Sequence, residues 1–154
     1  MAALPRFDVL IAGMEPAGIA AACAAAESGL RVAAVDDNPH EGGQIWRGES
    51  LRPASKHVAG WIARFRAARI EALAQTRIFD APEPGVLCAE REDGFAELRY
   101  QKLILATGAR ERFLPFPGWT LPNAMSAGGL QALVKGGLPI AGKRVVVAGS
   151  GPLL

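Results

Sequence analysis

The stretch 7–36 limits the chain's possible folds more than any other part of it. Phe7-Asp8-Val9-Leu10-Ile11-Ala12 is a short apolar run that stops at Gly13, and Gly13-Met14-Glu15-Pro16-Ala17-Gly18 precedes an alanine-rich segment ending at Ser28-Gly29. That order predicts strand, tight turn and helix. Pro16 suits the first helical turn, where its missing N–H has no intrahelical partner to lose, and Gly29 suits the left-handed residue just past a helix end. Ala20, Ala21, Ala24 and Ala25 let the helix lie close on a sheet, and Gly18 allows the closest approach at its start. Arg31-Val32-Ala33-Ala34-Val35 reads as a second buried strand. Asp36 stands at its tip, near the offset of about 20 residues at which a ribose-binding acid is expected.

The turn has the spacing G-x-G-x-x-G with Glu15 at the middle position. A fingerprint alone is weak evidence. Between a strand and a helix, with an acid at the tip of the next strand, it predicts a Rossmann-like α/β domain whose helix N-terminus can receive a phosphate group. The competing reading is an ordinary βαβ corner that binds nothing, and Glu15 favours it.

At 154 residues the chain is long enough to bury a core and make one domain. A formal net charge of +2 with 21% charged residues lacks the concentrated basic character of a nucleic-acid protein, so none is expected as a partner. Cys23 and Cys88 lie far apart and form no C-x-x-C, and His40 and His57 add no ligand cluster. Both cysteines read as small buried hydrophobes, with no metal site expected. The apolar stretch 9–26 resembles a signal peptide at first sight, but Glu15, Pro16 and Gly18 interrupt it and only Arg6 precedes it. No run reaches the ~20 apolar residues of a membrane span, and a cytoplasmic protein is the expectation.

Residues 37–48 form a loop with the adjacent glycines Gly42 and Gly43, followed by Gln44 and Trp46, at the edge where open α/β sheets bind ligands. Over 55–73, Val58, Trp61, Ile62, Phe65 and Ala68 recur at helical spacing, with Lys56, Arg64, Arg66 and Arg69 giving a basic, solvated outer side. A short strand is expected over 76–79. Residues 85–100 read as a hairpin with strands at 86–89 and 95–98 about Glu92-Asp93-Gly94, crossing one face of the main sheet. Residues 102–106 form a separate buried strand that delivers Thr107 and Gly108 to the ligand edge. Residues 111–122, rich in proline and aromatics, look like a connector. A helix over 126–135 has Ser126 as N-cap and Gly136-Gly137 as its stop. Residues 143–148 are expected as one more buried strand, leading into Gly149-Ser150-Gly151-Pro152, a second fingerprint cut short where its helix should begin. The expected domain is therefore incomplete at its C-terminus.

Six segments carry a family resemblance: Gly13 to Gly18, Gly42-Gly43-Gln44-Ile45-Trp46-Arg47, Ala106-Thr107-Gly108-Ala109-Arg110-Glu111-Arg112, Pro115-Phe116-Pro117-Gly118-Trp119, Ala127-Gly128-Gly129-Leu130-Gln131 and Gly149-Ser150-Gly151-Pro152. They resemble flavoproteins with two dinucleotide-binding domains and, within these, the FAD-bearing subunits of opine oxidase, hydrogen cyanide synthase and dye-linked proline dehydrogenase. The resemblance implies the N-terminal part of an FAD-binding domain over 1–120, a connector with a short helix over 121–142, and the first strand and turn of a second dinucleotide-binding domain over 143–154. It also implies that Gly13, Glu15, Pro16, Ala17 and Gly18 form the pyrophosphate turn and that Asp36 holds the adenosine ribose. Gly42, Gly43 and Gln44 would approach the flavin side, Thr107 and Gly108 would close the pocket, and Gly149 and Gly151 would open the second nucleotide site.

The implied protein is an FAD-dependent oxidoreductase subunit, or a fragment of one, that acts on a C–N bond of an amino acid or opine beside a second oxidoreductase subunit. Three departures qualify that picture. Glu15 replaces the usual glycine, the redox-active cysteine pair of the related disulfide reductases is absent, and the sequence reads as truncated at Leu154. FAD is therefore expected to bind this chain weakly or not at all, NAD(P) only a complete protein, and turnover by the chain alone is not expected. No catalytic residue is assigned. An NAD(P)-binding dehydrogenase domain remains open, since Asp36 alone allows it, although the 42–44 loop and the 107–108 turn favour FAD. A non-catalytic remnant or subunit-docking fragment is the third reading.

Overall fold

The computed structural model describes residues 6–48, 55–112 and 114–150. Two compact units divide after Gly108.

The first unit contains β1 (Phe7–Ala12), α1 (Pro16–Glu27), β2 (Val32–Val35), α2 (Lys56–Ala67), β3 (Ile70–Leu73), β4 (Arg77–Glu83), β5 (Val86–Arg91) and β6 (Gly94–Leu105). The strand order is β3-β2-β1-β6-β5-β4. β1 pairs in parallel with β2 and with β6, and β2 with β3, whereas β5 runs antiparallel to both β4 and β6. Alternation along the central strands sorts the core into two layers. Val9, Ile11, Val32 and Ala34 pack with Ile19, Ala22 and Cys23 of α1 and Phe65 of α2. Leu10, Ala12, Ala33 and Val35 pack instead with Leu87, Ala89 and Leu98 of the β4–β6 meander. β1 and β2 are thus covered by helices on one face and by the crossing hairpin on the other, as expected of a Rossmann-like FAD-binding fold, whereas the stretch 102–106, expected as a buried strand, leaves Ile104 38% and Leu105 72% exposed.

Four elements differ from the expectation, the first being the short strand expected over 76–79, which begins at Arg77 and runs on to Glu83 as β4 because 80–83 still pair with β5. The helix predicted over 55–73 stops at Ala67, where Ala68 turns extended, and 70–73 become β3 on the free side of β2. Four residues with one buried leucine fit a helical turn and a short strand equally well by pattern, and β2's unpaired edge decides for the strand. The segments 95–98 and 102–106 are one strand, because nothing at 99–101 breaks the chain: the N-terminal part of β6 pairs with β5, and Tyr100 to Leu105 pair with β1. Residues 143–148, expected as a buried strand, carry no strand assignment, and Val146 is 91% exposed. A strand exists by pairing, and no ladder partner for this segment occurs among the described residues.

The second unit holds α3 (Ala127–Lys135), with the Ser126 side chain accepting from the Gly129 N–H at 3.1 Å as the expected N-cap. Gly137, at φ +101°, follows as the stop.

Candidate nucleotide-binding edge

At the C-terminal end of the parallel strands three loops meet: the turn after β1, the loop after β2 and the turn after β6. Gly13 adopts φ +108° and donates its N–H to the Val35 carbonyl at 2.7 Å. A side-chain carbon there would collide with the Ala106 carbonyl, and one at Gly18 would collide with the Gly13 carbonyl oxygen. These two glycines are what lets α1 begin hard against β1 and β6. Pro16 is the first residue of α1, Ala17 is exposed beside it and Gly18 is buried.

Asp36 is 8% exposed and already engaged: Oδ2 accepts the Met14 N–H at 2.6 Å, while Oδ1 accepts the Asn38 backbone N–H at 2.9 Å and its Nδ2 at 2.8 Å. The acid at the strand tip thus braces the fingerprint turn. Carboxylate oxygens accept more than one hydrogen bond, so these contacts leave Asp36 capacity for a ribose hydroxyl. Met14 and Asn38 are the functional neighbours that sequence reasoning missed. The Asp-x-Asn spacing of an Asx-turn was a readable signal for Asn38, whereas a backbone N–H such as that of Met14 leaves none.

The loop after β2 is tied to the same turn. Gly42, at φ +105°, donates to the Met14 carbonyl at 2.7 Å, and Trp46 donates to the Gly42 carbonyl at 2.9 Å. Gly43 is buried and Gln44 exposed. From the third side come the exposed Thr107 and Gly108, just after the Ala106 N–H, which donates to the Ala12 carbonyl at 2.8 Å. The predicted residues of the first site therefore lie on the three loops of one edge and on the first turn of α1, which carries Pro16, Ala17 and Gly18.

Glu15 occupies the middle of that edge. It is the N-cap of α1, and its side chain passes between Gly43 and Gly108. A side-chain carbon at Gly43 would stand 2.5 Å from Glu15 Oε1, and one at Gly108 would stand 2.7 Å from Cδ. Oε1 accepts the Gln44 N–H at 3.4 Å. The fit to FAD is therefore divided: the turn, the acid and the glycine loops suit it, but the place where backbone should face a pyrophosphate holds a carboxylate of the chain itself.

Other titratable groups lie elsewhere. Burial pushes the Cys23 thiol up, the Arg64 charge opposing only in part, so it is a poor nucleophile in the core under α1. Both cysteines are free. Among the described residues no three His, Cys, Asp or Glu side chains are grouped to hold a metal, and no helix is long and apolar enough to cross a membrane. In the second unit, Gly149 has φ +153°, while Gly151 lies outside the described residues.

The sequence pattern of the pyridine nucleotide-disulphide oxidoreductase family matches residues 7–153. One of the subunits of opine oxidase from Rhizobium meliloti (strain 1021) is 36% identical, over 96% of this chain and 34% of that protein. Hydrogen cyanide synthase subunit HcnB of Pseudomonas protegens is 33% identical, over 94% of this chain and 34% of its own length. Among solved structures, L-proline dehydrogenase from P. horikoshii superposes with a TM-score of 0.58 at 25% identity, covering 74% of this chain and 25% of that one. The chain spans about a third of the length of these curated relatives.

Proposed function

The chain belongs to the pyridine nucleotide-disulphide oxidoreductase family, an FAD-binding oxidoreductase family, and on that footing we propose that it forms the N-terminal part of a flavoprotein subunit oxidising a C–N bond of an amino acid or opine. The carrying observation is the convergence of the Gly13–Gly18 turn, Asp36 and the two glycine loops on one sheet edge. In this reading Gly13, Pro16, Ala17 and Gly18 present the start of α1 to the pyrophosphate, and Asp36 faces the ribose. Gly42, Gly43 and Gln44 flank the flavin side, with Thr107 and Gly108 opposite. The names of the relatives, opine oxidase and proline dehydrogenase among them, support the substrate class, and two of these relatives are subunits, which supports a partner oxidoreductase chain. We read Gly149 and Gly151 as the opening of a second nucleotide unit, for NAD(P) in a complete protein. The reaction is assigned to no residue of this chain.

Glu15 favours a second reading, in which the chain holds little FAD and is not itself catalytic. Two unit charges ~4 Å apart at an effective dielectric of ~20 repel by about 4 kcal/mol, and half of that weakens binding by more than about tenfold. Visible absorbance of the purified chain separates the two, with little or no flavin band expected. The chain alone is expected to reduce no artificial dye with amino acids or opines, and measurable flavin-dependent dye reduction overturns that expectation.

A further inference from the structure

We infer that Glu15 is a built-in latch: its carboxylate takes the place of a bound anion and ties the loop after β2 to the turn after β1, beside Gly108 of the turn after β6, when no ligand is present. The inference deepens the flavoprotein reading, and it rests on that reading only for the identity of the anion that displaces the carboxylate. Three observations carry it.

The first is the slot itself. Gly43 and Gly108 come from different loops, have φ +54° and +67°, and both turn their side-chain-free faces to the same carboxylate. A side chain on either would overlap Glu15, so the glycines leave room for an anion and the chain supplies it. The second is the donor set. Oε1 takes the Gln44 N–H, and Glu15, whose side chain makes no hydrogen bond to the first N–H groups of α1, is nonetheless the N-cap of a twelve-residue helix, at the positive end of its dipole. The third is the doubling of the tether. The Gly42 N–H is bound to the Met14 carbonyl and the Gln44 N–H to Glu15, so two successive residues of the turn hold two nearby residues of the loop. Only the second of these bonds depends on a side chain.

A nucleotide diphosphate entering the edge has to expel the Glu15 carboxylate and take over the Gln44 N–H. Binding and unlatching are then the same event, with a penalty set by one residue.

The test uses the full chain with Glu15→Gly and Glu15→Gln. Glycine is well accepted at a helix N-cap, so the first variant keeps the fold, and a matching circular dichroism spectrum verifies it. Without flavin, the Gln44 amide is expected to exchange hydrogen up to about tenfold faster in Glu15→Gly, while the Gly42 amide, bound to Met14, changes little. Unaltered Gln44 exchange overturns the latch whatever the flavin does. FAD titration by fluorescence quenching is expected to show at least tenfold tighter binding to Glu15→Gly and an intermediate affinity for Glu15→Gln, which keeps the bulk and loses the charge. Faster exchange with no gain in FAD affinity upholds the latch and removes the flavoprotein reading instead. Tight FAD binding by the unmodified chain, with Gln44 exchange unaffected by either variant, overturns both.

Discussion

A methyl group at Gly18 has nowhere to go, because the Gly13 carbonyl stands in its place and the Ala106 side chain lies 3.3 Å away. Gly29 is the opposite case: its φ is +81°, yet the space around a side chain there is open. Gly18→Ala is therefore expected to destabilise the fold by roughly 3 kcal/mol or more through displaced backbone. Gly29→Ala is expected to cost only the left-handed conformation, about 1–2 kcal/mol. Denaturant midpoints of the two variants decide the order, and a milder Gly18→Ala would mean that the turn yields. Spacing alone made Gly13, Gly18 and Asp36 legible, since each answers to a fixed place in a strand-turn-helix-strand unit. The direction of the Glu15 side chain was not legible, because it depends on Gly43 and Gly108, which reach it from loops distant in the sequence.

Helix α3 shows how an element without a core depends on its end. None of its residues is buried, so its helicity rests on local bonds. The Glu111 carboxylate is held below its ordinary range first by the Ser126 hydroxyl, then by the N–H groups of Gly128, Gly129 and Ala127. A carboxylate whose pKa is lower in the folded state adds stability that is fully present above its unfolded value, 4.5, and is lost as pH falls through the folded value. Far-UV circular dichroism is expected to lose helix on acidification below about pH 4.5. Glu111→Gln is expected to show reduced helix already at neutral pH and a smaller acid step; an acid step of undiminished size in that variant assigns the loss elsewhere. The boundaries of α1 and α3 were readable because Pro16, Gly29, Ser126 and Gly137 mark them chemically. The end of α2 carries no such mark: Ala68 is a good helix former that turns extended because β2 offers residues 70–73 an edge. For the same reason 143–148, strand-like in composition, form no strand without a neighbour.

Across the whole chain, the segments closest to the first fingerprint were read best, and the single strand β6 was read as two because its halves answer to different partners, β5 and β1. That division of labour gives the fold a schedule. β1 finds β2 after one helix, but its other neighbour lies far down the chain: Phe7 stands opposite Tyr100 and Ala12 opposite Leu105. A ribosome delivers the two sides of β1 at separate times, and until β6 emerges the strand at the centre of the sheet is an open edge. Pairings this remote in sequence are slow to form, and they leave apolar edges exposed to other chains meanwhile. In refolding followed by pulsed hydrogen exchange, the Ala106 amide, bonded to Ala12, is expected to gain protection in the last phase of this unit, after the Gly29 and Leu30 amides that close α1. Simultaneous protection of all three defeats the schedule. If it holds, the edge bearing Gly108 is finished last among the described strands, and in a nascent chain the three loops of that edge do not meet until β6 has left the ribosome.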